Sequence, residues 1–325
     1  MGFWGVNGKP EETKFTVFCC EDTVDGIFTA VYEAWASKRG LNYVTVQVGQ
    51  NQNYRLFTEY KQVKTDQEKA NKVGNTIRQK MGMEDYEVLY YAALSRDSEK
   101  GEAIFRTIVF GLAVSRRKNV TRNLQEPCIA RVFELSRRVG NESHKYKMFV
   151  RFHELAGERE MFYDVGPAEN WNVMQGEEMK NRSEVEWNRK EELEWKNEDR
   201  EHLLKICQGI PNDTVMFSEI EPENQVLPLL GEHFSDRFPL VNFMIYDKTH
   251  KACLIHPAGK QWVILQDANL DEERIHQYSK REQEYSRLWK GFVSSIAIEE
   301  RRNPRCQMNF MPKKYWKHMT EHISS

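Results

Sequence analysis

Long apolar runs are missing from this chain. No stretch of about 18 consecutive apolar residues occurs, which excludes a helix built to span a bilayer. The opening, MGFWGVNGKPEETK, lacks the basic-then-apolar order of a secretory signal, so a soluble cytoplasmic protein with no membrane partner is expected. Cysteine is sparse: Cys19, Cys20, Cys128, Cys207, Cys253 and Cys306 include one vicinal pair and no Cys-x-x-Cys. That spacing suggests neither a zinc site nor a disulfide framework, and no triad for an iron-sulfur cluster is present. Cys19 and Cys20 sit in the apolar run FTVFCC and are expected in a buried strand; the sharper alternative is a reactive redox pair. There is also no Gly-x-Ser-x-Gly, no His-Glu-x-x-His, no phosphate-binding loop and no internal repeat. No cofactor and no metal-ligand motif is therefore expected.

Net charge is nearly absent as well. With 47 basic and 49 acidic side chains the formal sum is −2, so overall charge selects no partner. Local clusters can, because a nucleic acid responds to charge within about a Debye length, roughly 8 to 10 Å at physiological salt.

What is present is a mixed pattern. A chain of 325 residues exceeds the usual single-domain size, so two units or one domain with an insertion are expected. FTVFCCED predicts a strand, and the following TVDGIFTAVYEAWASKRG predicts a helix with Thr23 as N-cap and Gly40 as C-cap. NYVTVQVG and YRLFTEYKQV predict two further strands, and Thr65-Asp66 opens a helix ending near Gly82. Residues 85–147 read as three helices. KMFVRFHEL and REMFYDV then look strand-like. Residues 166–212 change composition: Trp171, Trp187 and Trp195 stand among many charges without a continuous apolar stripe, as in a solvated helix or lid inserted into the fold. DTVMFSEIEPEN predicts a strand, VLPLLGEHFSDRF a helix, and NFMIYDKTHKACLIHPAGKQWVIL two or three antiparallel strands. A final helix is expected from about Asp271 to Arg302, with Tyr285, Leu288, Trp289, Phe292 and Ile296 on one face, until Asn303-Pro304 interrupts it. The fold class is α+β or mixed α/β, divided into 1–165, the insertion 166–212, and 213–325, the first and last of which could be one domain.

Two segments carry interleaved cations and aromatics. The run IEERRNPRCQMNFMPKKYW holds Arg301, Arg302, Arg305, Lys313, Lys314, Tyr315 and Trp316 against only Glu299 and Glu300. Cations neutralise phosphates and aromatic faces stack unpaired bases, so this is what a nucleic-acid groove requires. The bland alternative is a tail with Phe310, Met311, Tyr315 and Trp316 buried and its cations merely solvated. The second cluster is Arg137, Arg138, His144, Lys145, Lys147 and Arg151, opposed only by Glu142. An ordinary solvated helix face would read the same way. For acid/base chemistry the candidates are Asp22, Asp25, Glu221 near Asn224, His233, and Asp247 with His250. None has metal-ligand spacing. His233 and His250 are equally readable as packing or surface histidines, and Glu299-Glu300 as ion-pair partners of the adjacent arginines.

Four segments, DTVDGIFTAVYEAW, RVGNESHKYKMFVRFHEL, IEPENQVLPLLGEHFSDRFP and IAIEERRNPRCQMNFMPKKYW, resemble a bacterial family of probable DNA metabolism proteins built on a domain of unknown function. The resemblance implies an accessory or substrate-handling role beside a radical SAM DNA modification or repair protein, in a family whose domain also precedes uracil-DNA glycosylase-like domains. It supplies no catalytic residues to carry over, and the 166–212 stretch is longer and more acidic than the short hairpin expected there. The expected function is a DNA-binding accessory protein, acting on single-stranded or damaged DNA with that partner. Two alternatives stand beside it: a base-processing or phosphodiester-cleaving enzyme using Asp25, Glu221, His233 or Asp247, and a protein-interaction adaptor. Within the C-terminal run, Arg301 to Arg305 are expected to face the substrate and Phe310 and Met311 to anchor the tail.

Overall fold

A computed structural model describes residues 15–49, 55–113, 119–155, 173–175, 215–268, 270, 275–301 and 303–320. The protein is a mixed α/β protein with two sheets, and it divides into two compact units, Met1–Asn141 and Glu142–Ser325.

The first unit is built on a three-stranded parallel sheet. Strands β1 (Phe15–Cys20), β2 (Val44–Val48) and β3 (Thr58–Gln62) lie in the order β2-β1-β3. The central strand β1 is buried from Thr16 to Cys20, as its unbroken apolar run requires. Helix α1 (Val24–Ala36) is capped by the Thr23 hydroxyl, which accepts from the Gly26 N–H at 2.9 Å. Gly26 is needed here, because a Cβ would lie 2.7 Å from the Glu21 carbonyl oxygen. The helix ends at Ala36, before Gly40, because Lys38 takes the left-handed turn itself (φ 53°). Helix α2 (Gln67–Lys80) is capped by Asp66 as expected. The three helices of the middle follow as α3 (Met83–Ala93), α4 (Lys100–Ala113) and α5 (Pro127–Phe149). The fully buried Asp85 of α3 accepts from the Val120 and Thr121 N–H groups and the Thr121 hydroxyl, fixing the turn before α5.

The second unit is a six-stranded sheet in the order β4-β6-β7-β8-β9-β5, made of β4 (His153–Glu154), β5 (Val173–Gln175), β6 (Met216–Ile220), β7 (Phe243–Asp247), β8 (Ala252–His256) and β9 (Val263–Leu265). Only β6 and β7 pair in parallel, joined through α6 (Leu227–Arg237). Side chains alternate across the sheet, so neighbours in sequence enter different cores: Met244, Cys253, Ile255, Val263 and Leu265 form one cluster, and Phe243, Ile245, Leu254 and Ile264 the other. Gly231 lets α6 approach closely, with Leu254 and Trp262 atoms under 3 Å from where a Cβ would lie. Strand β5 is the described part of the stretch read as an insertion; the rest, and REMFYDV, lie outside the described residues.

Two elements differ from expectation. KMFVRFHEL is not one strand: α5 continues to Phe149, and only His153–Glu154 is extended. The helix persists because Glu142, Tyr146 and Phe149, at i, i+4 and i+7, share one inward side and find tertiary partners there. The final helix is also shorter. It comprises α7 (Lys280–Ile296), begun by the Ser279 hydroxyl accepting from the Glu282 N–H at 3.0 Å, and, after a 3-10 turn at Glu299–Arg301, α8 (Pro304–Phe310), whose N-cap is Asn303. Tyr278 instead bridges to Leu155 at the sheet edge.

Candidate nucleic-acid interface

The C-terminal run is held down by a buried carboxylate. Glu142 of α5 accepts from the N–H groups of Glu223 (3.1 Å) and Asn224 (3.0 Å), from the Asn224 side-chain amide (2.7 Å) and from the Lys314 ammonium (3.1 Å). Lys314 also reaches Glu223 at 3.2 Å. Burial lowers the Lys314 pKa, but these two carboxylates outweigh it and leave it raised. One residue on, Tyr315 is buried edge-on against Tyr146 at 4.9 Å and tilted against Phe149 at 5.5 Å. Trp316 is half-buried and donates its indole N–H to the Met311 carbonyl at 2.9 Å, with Lys313 6.0 Å above its ring. Lys317 closes the turn Lys313–His318 by pairing with Glu221.

This arrangement sorts the basic candidates. Arg301, Arg305 and Lys313 are exposed, whereas Lys314 and Tyr315 hold the tail in place; Arg302 lies outside the described residues. The anchor is Tyr315, and Phe310, expected to serve as one, is 77% exposed at the end of α8. On α5, Arg138 is exposed and paired with Glu134, and His144 is exposed. Lys145 and Lys147 are half-buried, and burial pushes the Lys147 pKa down. Arg151 donates to the Met148 and Val150 carbonyls, where α5 ends.

The acid/base candidates are separately engaged. Asp25, in the first unit, is hydrogen-bonded to Gln67, and burial raises its pKa. Asp247 is buried in the β7–β8 turn, where it accepts from the Thr249 and His250 N–H groups and pairs with the His250 ring at 2.6 Å. Burial raises its pKa as well. His233 packs edge-on against Phe234 at 5.0 Å, and burial, then Lys147 and Arg237, lower its pKa. Among the described residues of the second unit, no hydrogen bond or ion pair joins any two of Glu221, His233 and Asp247. In the first unit Asp22 pairs with the fully buried Lys100 at 2.5 Å. Cys19 and Cys20 are buried free thiols; burial, with Asp22 adding to it, pushes Cys20 up to about 12, against the redox reading.

The largest feature that the sequence did not assign is the outer side of α7. Its inner side is polar: Glu282 pairs with His153 at 2.9 Å, accepts from the Glu154 N–H at 3.2 Å and accepts the Ser286 hydroxyl at 3.0 Å. The stripe of Tyr285, Leu288, Trp289, Phe292 and Ile296 consequently points outward, each residue between 43% and 63% exposed. The Arg281 guanidinium lies 5.5 Å from the Tyr285 ring, and Trp289 and Phe292 stand 5.8 Å apart. Periodicity announces such a stripe but cannot say which side meets the protein.

Together these features define a mixed α/β protein carrying an exposed aromatic and basic C-terminal arm. The chain belongs to the DUF4130 family, a domain of unknown function, whose profile matches residues 98–182 and 197–321, more than half of the sequence. The arm from α7 to the terminal turn falls wholly within the second matched block. No curated protein and no solved structure matches the chain. Among the described residues, no helix is long and apolar enough to cross a membrane.

Proposed function

We propose that this protein is an accessory factor of DNA metabolism or repair that holds single-stranded or damaged DNA for a partner enzyme, the radical SAM modification or repair protein that the family resemblance suggests. The observation that carries this reading is the outward aromatic stripe of α7, followed along the chain by exposed cations. From Lys280 to His318 the sequence has ten Lys and Arg against four Glu, and one of those four, Glu282, is turned inward to His153. Aromatic faces stack unpaired bases for about 1 to 3 kcal/mol each, whatever the base, while Lys and Arg neutralise the backbone with release of counterions. Arg301, Arg305 and Lys313 supply charge, and Tyr285, Trp289 and Phe292 supply faces.

The test is anisotropy of labelled single-stranded, duplex and abasic DNA across a salt series. The variant Arg301→Glu/Arg305→Glu/Lys313→Glu should weaken binding to every form and flatten its salt dependence. Tyr285→Ala/Phe292→Ala should weaken single-stranded DNA most, by about 30-fold or more for two lost stacks at about 1 kcal/mol each. Wild-type affinity in both variants, or no binding by the wild type, overturns the reading.

The aliphatic part of the same stripe, Leu288 and Ile296, with Ile298 just past the helix, favours a second reading, a protein-interaction adaptor, because exposed aliphatic surface offers nothing to a phosphate. Retained DNA binding with lost co-purification of the partner enzyme in Leu288→Ser/Ile296→Ser would decide for it.

A further inference from the structure

We propose that Glu219, Glu221 and His318, with His276 beside Glu219, form a binding site for a first-row divalent transition metal, zinc foremost. Glu219 is the last but one residue of β6 and Glu221 follows the strand, two positions on, so both carboxylates leave the extended chain on the same side. The terminal turn Lys313–His318, clamped in place by Lys314 and Tyr315, brings His318 against them. One donor atom from each of Glu219, Glu221 and His318 lies within 4.8 Å of the others. The His276 Nε2 approaches the same Glu219 carboxylate at 3.7 Å.

The two carboxylates are shared in a regular way. Glu219 turns Oε1 to Lys248 at 3.5 Å and Oε2 to His276; Glu221 turns Oε2 to Lys317 and Oε1 to His318 at 3.4 Å. Each therefore gives one oxygen to a lysine and the other to a histidine. The independent observation is at His318, whose Nε2 is buried and has no hydrogen-bond partner. Its 3.4 Å approach to the Glu221 carboxylate lacks hydrogen-bond alignment, so a nitrogen excluded from water is left unsatisfied among carboxylate oxygens, which is costly for a buried polar atom. A cation between the nitrogen and the oxygens would satisfy all of them.

Imidazole nitrogen with carboxylate oxygen is a donor set suited to zinc and its neighbours, and less to magnesium or calcium, which prefer oxygen alone. At about 2.0 to 2.2 Å from a tetrahedral zinc ion, donors stand roughly 3.4 Å apart, so closing the present spread needs side-chain movements on the order of 1 Å. Lys248 and Lys317 are 43% and 51% exposed and can swing into solvent when the metal enters. They also compete with it, and that makes the site testable from both directions.

The experiment uses the full chain, stripped with a chelator, and titrates zinc alone against a chromophoric competitor, with cobalt(II) absorption as the spectroscopic signature. Wild type should take up one equivalent; His318→Ala and Glu219→Gln/Glu221→Gln should lose it, and Lys317→Met should bind more tightly. His144→Ala, which removes an exposed histidine elsewhere, should match wild type. Zinc should raise the wild-type melting temperature in a concentration-dependent way, and this measurement stands even where a site variant fails to fold. No stoichiometric uptake by wild type, or equal uptake by folded His318→Ala, overturns the proposal.

Discussion

The two units each bury one member of an ion pair, and they bury opposite members. In the first, Lys100 is fully buried and its ammonium donates to Asp22 and to the carbonyls of Ala93 and Ser95, using all three protons, while Asp22 is half exposed. In the second, Glu142 is buried and accepts four hydrogen bonds, while Lys314 is 42% exposed. Lys100 joins the start of α4 to the end of β1 and the end of α3. Glu142 joins α5 to the loop before α6 and to the tail. The buried member is the one that cannot be left without its partner, because water can replace the partner of an exposed charge but not of a buried one.

Substitutions can break that comparison. The largest effect is expected for Glu142→Ala, which orphans two backbone N–H groups and frees the tail; urea unfolding should show a loss of about 3 to 5 kcal/mol. Asp22→Ala should come next, at about 2 to 3 kcal/mol, since it leaves a buried ammonium with carbonyls alone. Lys100→Met should cost about 1 kcal/mol or less, because it removes the buried charge itself and fills its volume. If Lys100→Met proved costlier than Asp22→Ala, the assignment of the buried charge as the sensitive one would fail.

Two carboxyl groups, one in each unit, should also respond to pH with opposite sign. Burial raises the Asp25 pKa above its ordinary 3.8, so the folded state binds the extra proton and stability falls as pH rises through that window. Asp25→Asn should equal wild type in acid and be more stable than wild type above the raised value. Glu221 behaves inversely. Burial raises its pKa, but the ion pair with Lys317 outweighs this and leaves it below the ordinary 4.5. Its contribution is present above 4.5 and is lost as pH falls through the lowered value, so Glu221→Gln should lose stability near neutrality and not in acid. Urea midpoints across pH check both. The smallest effect is chemical: in the native protein iodoacetamide should label the exposed Cys306 and spare Cys19, Cys20 and Cys253, until denaturant equalises them.

Much of the framework was legible. β1, α1 with its Thr23 cap, α2 with its Asp66 cap, and the antiparallel run from Phe243 to Leu265 follow from local patterns and turn chemistry. The candidate interface was legible only as composition. Lys313, Lys314, Tyr315 and Trp316 are adjacent and chemically alike in pairs, yet Lys314 and Tyr315 are spent on Glu142 and Tyr146 while Lys313 stays exposed. Glu142 looked like the one charge opposing a basic helix face and is instead a buried anchor. Nothing near it in sequence reveals this, because Asn224 lies 82 residues away and Lys314 172.

By itself, then, the sequence determined the mixed α/β class, most elements and their caps, and the density of cations and aromatics at the C-terminus, since each depends on neighbours within a few residues. Tertiary structure decided which cations stay exposed, that the apolar stripe of α7 faces outward, and that Glu219, Glu221 and His318 meet. The physical reason is that burial and pairing belong to the surroundings of a side chain. Those surroundings are assembled here from strands, helices and a terminal turn that are distant in sequence.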